Sequence, residues 1–372
     1  MMRNEALTLI NKTVPPWLDQ ESQNSSIVIS SRVRYARNLA GIPFPNRASN
    51  YELNQVYNMI SESIKKDSDL KTIFPVHNPI ALDRITRLQA EFLLERHLIS
   101  PDFAQKCIPR KDIKNNHHLK AYGVAVSEDE TVSLMINEED HMRLQVIMSG
   151  LNFEQGFNRL NYIDNKFESL LRYAYSPRYG YLTACPSNIG TALRASILIH
   201  LPALVITKEI EKTLRAIWQI NYMVRGLYGE GTETKGYLFQ ISNTSSLGQS
   251  EADIITNITK IAQELVNYEE QSREYLLKNM KLEIEDKIYR AYGLLTSARL
   301  LSSEEALNLL ATVRLGVATQ ILTNVSLSTL NKIMILLKPA NLQLFYNQKM
   351  TPQERDEKRA SLIRQILSEQ KN

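Results

Sequence analysis

Three consecutive acids, Glu138-Glu139-Asp140, stand between two apolar, β-rich runs, residues 131–136 and 144–148. Carboxylates carried to the ends of buried strands lose solvation, and a fold keeps them only where cations arrive to pair with them. Arg143 is too near in sequence to satisfy all three. Alone, the triplet would read as a charged turn between edge strands. The rest of the chain argues otherwise, because it repeatedly brings arginines, and one cysteine, to the ends of similar strands.

Residues 26–34 are dominated by β-branched types and read as a strand, with Arg32 and Arg34 on one face and Val33 on the other. Amphipathic helices are expected over 51–66 and 83–98, then strands over 121–127 and 131–136 joined by a Glu128-Asp129-Glu130 hairpin. Helical spacing runs from Phe153 to Tyr173. A turn-rich loop, residues 181–191, leads into a strand that Pro202 ends. A helix over 208–220, a strand over 222–225, a glycine-rich segment (Gly226, Gly229, Gly231, Gly236) and a strand over 237–242 follow. From Ser250 onward helical periodicity prevails. The expected division is an N-terminal arm over 1–25, a catalytic unit over 26–260 and a helical unit over 261–372.

At 372 residues, 43% hydrophobic and 23% charged, the chain can bury a sizeable core of the ordinary globular kind. A net charge of +4 gives no support to wholesale binding of nucleic acid or a membrane surface. No apolar run approaches membrane-spanning length. Two cysteines, Cys107 and Cys185, without metal-ligand spacing, fit a reducing cytosol. The expectation is a cytoplasmic protein.

Arg32, Arg34, Arg143, Arg194 and Arg225 come from separate segments. Clustered guanidiniums repel unless an anion lies between them, and arginine offers phosphate a planar, permanently charged fork. A nucleoside triphosphate carries enough charge to justify such a set. The chain has no G-x-x-x-x-G-K-[ST] loop, no kinase catalytic-loop signature and no G-x-G-x-x-G, so arginine side chains would have to cradle it. Taken singly, each arginine reads as a surface ion pair and Cys185 as a small buried hydrophobe. In Cys-Pro-Ser-Asn, however, the thiol sits in a turn, where it is reachable. Glu230, inside the glycine-rich segment, suggests a lid carrying a carboxylate.

Four segments together resemble the ATP:guanidino phosphotransferases, and within them the bacterial protein-arginine kinases. They are Ser30-Ser31-Arg32-Val33-Arg34, Asn137-Glu138-Glu139-Asp140-His141, Cys185-Pro186-Ser187-Asn188 with Arg194-Ala195-Ser196, and Arg225-Gly226-Leu227-Tyr228-Gly229-Glu230. The likeness runs from about residue 27 to near the C-terminus, with the motifs in the family's order. It implies an α+β fold: an antiparallel sheet flanked by helices, of the glutamine-synthetase-like kind, followed by an all-α C-terminal domain. It also implies ATP with Mg²⁺ as phosphoryl donor and a guanidinium nitrogen as acceptor. Carried over residue by residue, the nucleotide falls to Ser30, Ser31, Arg32, Val33, Arg34, His97, Arg143, Arg194, Ala195, Ser196, Ile197, Leu198, Arg225, Gly226, Leu227, Tyr228 and Gly229. Glu139 and Glu230 would grip the acceptor guanidinium with the Cys185 thiol beside them, and Glu138 would lie near the metal through water. The family's metabolic members carry a helical domain ahead of the first arginine motif. Here that motif begins near residue 30, so the expected acceptor site is open enough for an arginine side chain on a polypeptide.

Thr351-Pro352-Gln353-Glu354 is a helix start, with Thr at N-cap, Pro at N1 and Glu at N3. Arg355 and Arg359, four apart, share a face, with Asp356 adjacent. As residues they read as a solvated charged face. The Arg-Asp-x-x-Arg-Ala pattern resembles an allosteric phosphoarginine pocket of the protein-arginine kinases, which implies that role for Arg355, Asp356, Arg359 and Ala360, and a homo-oligomer. The resemblance also implies work in stress response and protein quality control. The implied partners are a heat-shock repressor and misfolded proteins as substrates, a zinc-binding activator protein and an ATP-dependent protease. Two other functions stay open: a small-molecule guanidino kinase, and a non-catalytic adaptor that only binds phosphoarginine. The complete catalytic set counts against the adaptor.

Overall fold

The computed structural model describes residues 14–19, 24–76, 78–106, 121–226 and 235–369. Its strands, in chain order, are β1 (Val28–Arg37), β2 (Ile80–Ala81), β3 (Gly123–Val126), β4 (Val132–Ile136), β5 (Met142–Ser149), β6 (Tyr175–Ser176), β7 (Gly180–Tyr181), β8 (Leu193–His200), β9 (Tyr222–Gly226) and β10 (Leu238–Asn243). Eight of them form one antiparallel sheet in the order β2-β3-β4-β5-β1-β8-β10-β9, and β6 pairs with β7 apart from it. The helices are α1 (Asn50–Lys66), α2 (Ser68–Ile73), α3 (Arg87–Glu95), α4 (Pro101–Lys106), α5 (Phe153–Glu168), α6 (Pro202–Ile206), α7 (Ile210–Gln219), α8 (Glu251–Asn279), α9 (Lys281–Ser297), α10 (Ser303–Ala318), α11 (Leu327–Leu336), α12 (Pro339–Phe345) and α13 (Pro352–Glu369).

Period-2 alternation decides what each face of the sheet presents. Val33 and Tyr35 of β1, Leu144 and Val146 of β5, Ala195 and Ile197 of β8, and Phe239 and Ile241 of β10 share one core with α1, α5 and the first half of α8. Their neighbours Arg32, Arg34, Arg143, Gln145, Arg194, Ser196, Gln240 and Ser242 therefore look out on the opposite face. There, Phe92, Leu98 and Phe103 cover β3 and β4 through Val124 and Met135. Trp17, Leu307 and Ile335 cover Ile147 and Leu238. The polar stretch bounded by these two patches is left open.

Several expectations need correction. The helix expected over 83–98 spans only Arg87–Glu95. Thr86 and Gln89 form a capping box at its start, and beyond its end His97 takes a left-handed φ of 62°. The described part of the N-terminal arm is not free: Pro16–Asp19 makes a 3₁₀ turn that buries Trp17 and Leu18. An apolar pair inside a polar stretch suffices to anchor it. Helix α8 passes unbroken through residue 260; Ile254 to Val266 belong to the sheet's core, and Leu276 to the helical one. The core thus changes near the end of α8, because composition registers helicity and not which core a helix face joins. No helix among the described residues is long and apolar enough to cross a membrane.

Candidate active site

Strands β5, β1, β8, β10 and β9 lie side by side, and their registers align the polar residues into a lateral row. Arg34 stands opposite both Gln145 and Arg194, Arg32 opposite Ser196, Ser196 opposite Ser242, and Gln240 opposite Arg225. Arg143, two residues from Gln145, extends the row. These side chains line a cleft of about 1000 Å³ together with His97, Glu139, Cys185 and Asn188.

The row is electrostatically loaded. Like charges directly opposite each other on a sheet repel. Burial, followed by Arg143 and Arg194, lowers the Arg32 pKa to about 10. Burial and the same neighbours push Arg34 well below its ordinary range, and burial, Arg225 and Arg143 lower Arg194. The protein oxygens that Arg32 and Arg194 meet are hydroxyls, Arg32 Nε donating to Ser196 Oγ at 3.4 Å and Arg194 Nη2 to Ser242 Oγ at 3.2 Å, while among the described residues Arg143 alone of the row pairs with a carboxylate, that of Glu138. Such a surface is complementary to a polyanion.

The acidic triplet is swung into this cleft by Asn137, whose left-handed backbone (φ 60°) suits an asparagine. Its Nδ2 donates to Leu53 O and Ala121 O at 2.9 and 2.7 Å. Glu138 takes Ser100 Oγ at 2.5 Å and a two-oxygen grip from Arg143 Nη1 at 2.8 and 2.9 Å. Burial alone would raise its pKa, but Arg143 and the donors prevail and hold the carboxyl below its ordinary value. Glu139 goes the other way: burial, then Asp140 and Glu138, raise it. Asp140 Oδ1 accepts from Asn38 Nδ2 at 2.6 Å and Ala184 N–H at 2.7 Å, which fastens the acidic loop to the cysteine loop. There Thr183 Oγ1 donates to Cys185 O at 2.8 Å, and Cys185 Sγ lies 3.1 Å from Ser187 Oγ. Burial lowers the His141 pKa to about 4. Its Nδ1 accepts from Leu39 N–H at 3.0 Å and its Nε2 lies 3.0 Å from Pro43 O, so the neutral ring with the proton on Nε2 fits both contacts.

The structure brings together Arg32, Arg34, His97, Glu139, Arg143, Cys185, Arg194, Ser196 and Arg225. Leu227, Tyr228, Gly229 and Glu230 lie outside the described residues, as does Cys107. Val33, Ala195 and Ile197 belong to the core, so strand alternation denies their side chains to a nucleotide. Ser31 also departs from the expected role: its hydroxyl donates to Gly150 O and accepts from Asn152 N–H, tying the strand to the loop before α5. Ser30 and Leu198 lie deeper on the cleft face, with Trp17, His97 and Leu307. Gly226 ends β9.

The capping box at Thr351 forms as expected. Arg359, however, is buried at 1% exposure, with Nε on Leu337 O and Nη1 on Leu301 O and Asp356 Oδ1. Ala360 is in the helical core, and only Arg355 and Asp356 of that set are partly exposed. The shared face that spacing gave Arg355 and Arg359 turns inward at Arg359, because Ile363 and Leu367 continue the same side of α13 into the core. Gln145, Gln240 and Ser242 were missed, although counting two residues along each strand from an arginine or serine would have found them. Ser100 and Lys338 had no local signal: they reach the site through tertiary packing.

A family profile described as ATP:guanido phosphotransferase, C-terminal catalytic domain, matches residues 54–272, and one described as protein-arginine kinase McsB C-terminal domain matches residues 281–372. A protein-arginine kinase of Symbiobacterium thermophilum is 41% identical over 363 residues, covering 97% of this chain and 98% of the relative. One of Halothermothrix orenii is 41% identical over 360 residues, with 97% and 98% covered. Among solved structures, a crystal structure of lombricine kinase superimposes with a TM-score of 0.55 at 26% identity, covering 67% of this chain and 68% of that one.

Proposed function

Because the chain belongs to the ATP:guanidino phosphotransferases, we propose that it moves the γ-phosphoryl group of ATP onto the guanidinium of arginine residues within proteins. The observation that carries this reading is one cleft in which a row of arginines faces Glu139, a carboxyl held above its ordinary value, and the Cys185 thiol. The polypeptide acceptor rests on the two bacterial relatives, which bear the name protein-arginine kinase and align over nearly their whole length.

A guanidinium is a poor nucleophile until a proton leaves it, and its pKa exceeds 12. Glu139 orients the planar group by hydrogen bonds and takes that proton as the nitrogen–phosphorus bond forms and the bond from Pγ to the β–γ bridging oxygen breaks. Glu230, on the segment after β9, is the second carboxylate of the grip. Cys185 sits beside the acceptor and favours the charge distribution that leaves one nitrogen reactive. Arg32, Arg34, Arg143, Arg194 and Arg225 hold the phosphates in line and take up charge as it moves to the leaving ADP, and positioning of this kind supplies most of the rate of a phosphoryl transfer. Glu138, held ionised and fixed by Arg143 and Ser100, is the carboxylate that would help hold a Mg²⁺ accompanying the triphosphate. When bound, the metal neutralises charge on the β and γ oxygens.

We further propose that the protein is a cytoplasmic, allosteric homo-oligomer of the stress response and protein quality control. Its substrates would be a heat-shock repressor and misfolded proteins, and its partners a zinc-binding activator and an ATP-dependent protease. Arg355 and Asp356 are the partly exposed members of its phosphoarginine-binding set. A second reading, a free guanidino compound as acceptor, draws on the likeness to lombricine kinase. Incubation with Mg²⁺-ATP and either free arginine or an arginine-rich protein, followed by mass spectrometry under conditions that preserve acid-labile P–N bonds, separates the two. Phosphate on protein arginine is expected, and modification of free arginine alone would overturn the proposal.

A further inference from the structure

We infer that the C-terminal helical unit forms part of the nucleotide site: Lys338 supplies a sixth cation, at the nucleoside end of the cleft, and Glu95 locks it and His97 in place. This rests on the reading of the cleft as a nucleotide site and adds a residue from outside the segment matched by the guanidino phosphotransferase profile.

Part of the cleft lining comes from the helical unit, with Leu307 of α10 and Leu337, Lys338 and Pro339 at the break between α11 and α12. Lys338 is 8% exposed, and its Nζ donates to Glu95 O at 2.7 Å. It shares a second, small chamber of about 20 Å³ with His97, Leu307 and Ser30, and three of these four residues also line the cleft. Burial first, then the charges of Lys338 and Arg32, depress the His97 pKa. Arg32 and Lys338 both line the cleft with His97. Lys338 lines it together with Leu307, Leu337 and Pro339, apolar side chains suited to a nucleoside.

The position is held with unusual completeness. The Glu95 carboxylate accepts from Ala340 N–H at 2.9 and 3.1 Å, from Asn341 N–H at 2.9 Å and from Asn341 Nδ2 at 2.8 Å, which caps α12 from the catalytic unit. The next residue, Arg96, donates to Asn341 Oδ1 at 3.0 Å and to Glu130 at 2.6 Å, all three side chains being buried. The residue after that is His97, whose carbonyl accepts from Gln145 Nε2, a member of the polar row, at 2.6 Å. Three consecutive residues thus join the helical unit to the floor of the cleft. On its other side, the peptide just before Lys338 is held by Arg359 through Leu337 O. Lys338, buried and carried on a doubly anchored peptide that lines the cleft, is a cation held at the site, whereas a surface lysine would be free to follow solvent.

The test uses the full chain. Binding of Mg²⁺-ATP and Mg²⁺-ADP is measured by calorimetric titration, and KM is determined for ATP and for an arginine-rich acceptor protein, in wild type, Lys338→Ala, Lys338→Gln and Lys338→Arg. Loss of one charge-assisted contact predicts nucleotide affinity weaker by roughly tenfold or more in the Ala and Gln variants. The loss should be equal for ATP and ADP, because the contact lies beyond the β-phosphate. Acceptor KM should stay within about twofold, and Arg should restore most of the affinity. The Gln variant keeps a donor toward Glu95 O, so it serves if the Ala variant fails to fold. Unchanged nucleotide affinity in a folded Gln variant, or a loss confined to ATP, would overturn the assignment. Failure of the wild type to bind ATP at all would instead overturn the reading of the cleft.

Discussion

Replacing Arg32 with methionine should make the nucleotide-free protein more stable while removing its response to ATP. Arg32 is flanked by Arg143 and Arg194 in a partly buried row, and its pKa falls from 12.5 to about 10. A fall of that size corresponds to an unfavourable contribution on the order of 3 kcal/mol from lost solvation and repulsion. At neutral pH the guanidinium is charged in folded and unfolded chains alike, so the whole penalty is in force; it is relieved only as pH climbs above about 10. Methionine keeps much of the apolar stem. What it forfeits in the free protein is the 3.4 Å hydrogen bond to Ser196, a long one worth about 1 kcal/mol or less. The net gain of about 2 kcal/mol should raise Tm by a few degrees. Wild type should gain about 2.7 kcal/mol more from Mg²⁺-ATP at 100 times its Kd, and the variant should gain almost nothing. Calorimetric melting with and without Mg²⁺-ATP reads both effects. A lower Tm for the nucleotide-free variant, or an ATP-induced shift equal to that of wild type, would refute the idea that the row is held in repulsion for a polyanion.

Other outcomes follow from the same geometry. Ser100→Ala removes the 2.5 Å donor to Glu138 and should weaken the Mg²⁺ dependence of turnover by roughly tenfold, read by titrating Mg²⁺ at fixed ATP; an unchanged titration would mean that Arg143 alone fixes the carboxylate. Glu139→Gln should cut phosphoryl transfer by about 10²–10⁴-fold while leaving ATP binding intact. Because a base works only when ionised and burial raises the Glu139 pKa above 4.5, kcat/KM should fall as pH drops through that raised value and level off above it; a profile with no acid limb would remove Glu139 as the base. Arg359→Met leaves the carbonyls of Leu337 and Leu301 without that donor and should cost about 3 kcal/mol, seen as a lower denaturant midpoint. An unmoved midpoint would show that the tie contributes nothing.

The arginine row was legible because β alternation is rigid: once Arg32 and Arg34 share a face with Val33 on the other, only a register slip could separate them. Sequence could not supply the lateral order of strands. It is the sheet order β5-β1-β8-β10 that sets Arg34 between Gln145 and Arg194. Motif resemblance overreached where it took contiguous residues as a unit. It assigned Val33, Ala195 and Ile197 to the nucleotide alongside the arginines, whereas the pleat sends their side chains to the core and leaves only their backbone on the strands of the cleft. Arg359 shows the opposite limit, since nothing in a charged helix segment announces that one of its arginines will be spent on the carbonyls of two other helix ends. Glu95 and Lys338 are equally mute in sequence, being 243 residues apart and meaningful only once α12 docks on the end of α3.

The acidic triplet shows how a single stretch can place one functional group, the carboxyl, in three different environments. Glu138, Glu139 and Asp140 are adjacent, so their differences come from partners alone. Glu138 meets a guanidinium and a hydroxyl and is held ionised, which suits a fixed negative charge. Asp140 is raised by burial, and its Oδ1 accepts from Asn38 and Ala184, so that oxygen is committed to joining two loops. Glu139 is raised by burial and by the charges on either side, faces the cleft, and is left with an affinity for a proton that its neighbours lack a use for. The left-handed turn at Asn137 and the neutral His141, tied to the Leu39 amide and Pro43 carbonyl, clamp both ends of the segment. A one-residue slip would exchange the three environments and, on the proposed mechanism, would give the raised carboxyl meant as base to the position fixed by Arg143 and Ser100. The tight holding of a loop at this position is therefore part of the chemistry, since the division of labour among three carboxyls depends on which of them each partner can reach.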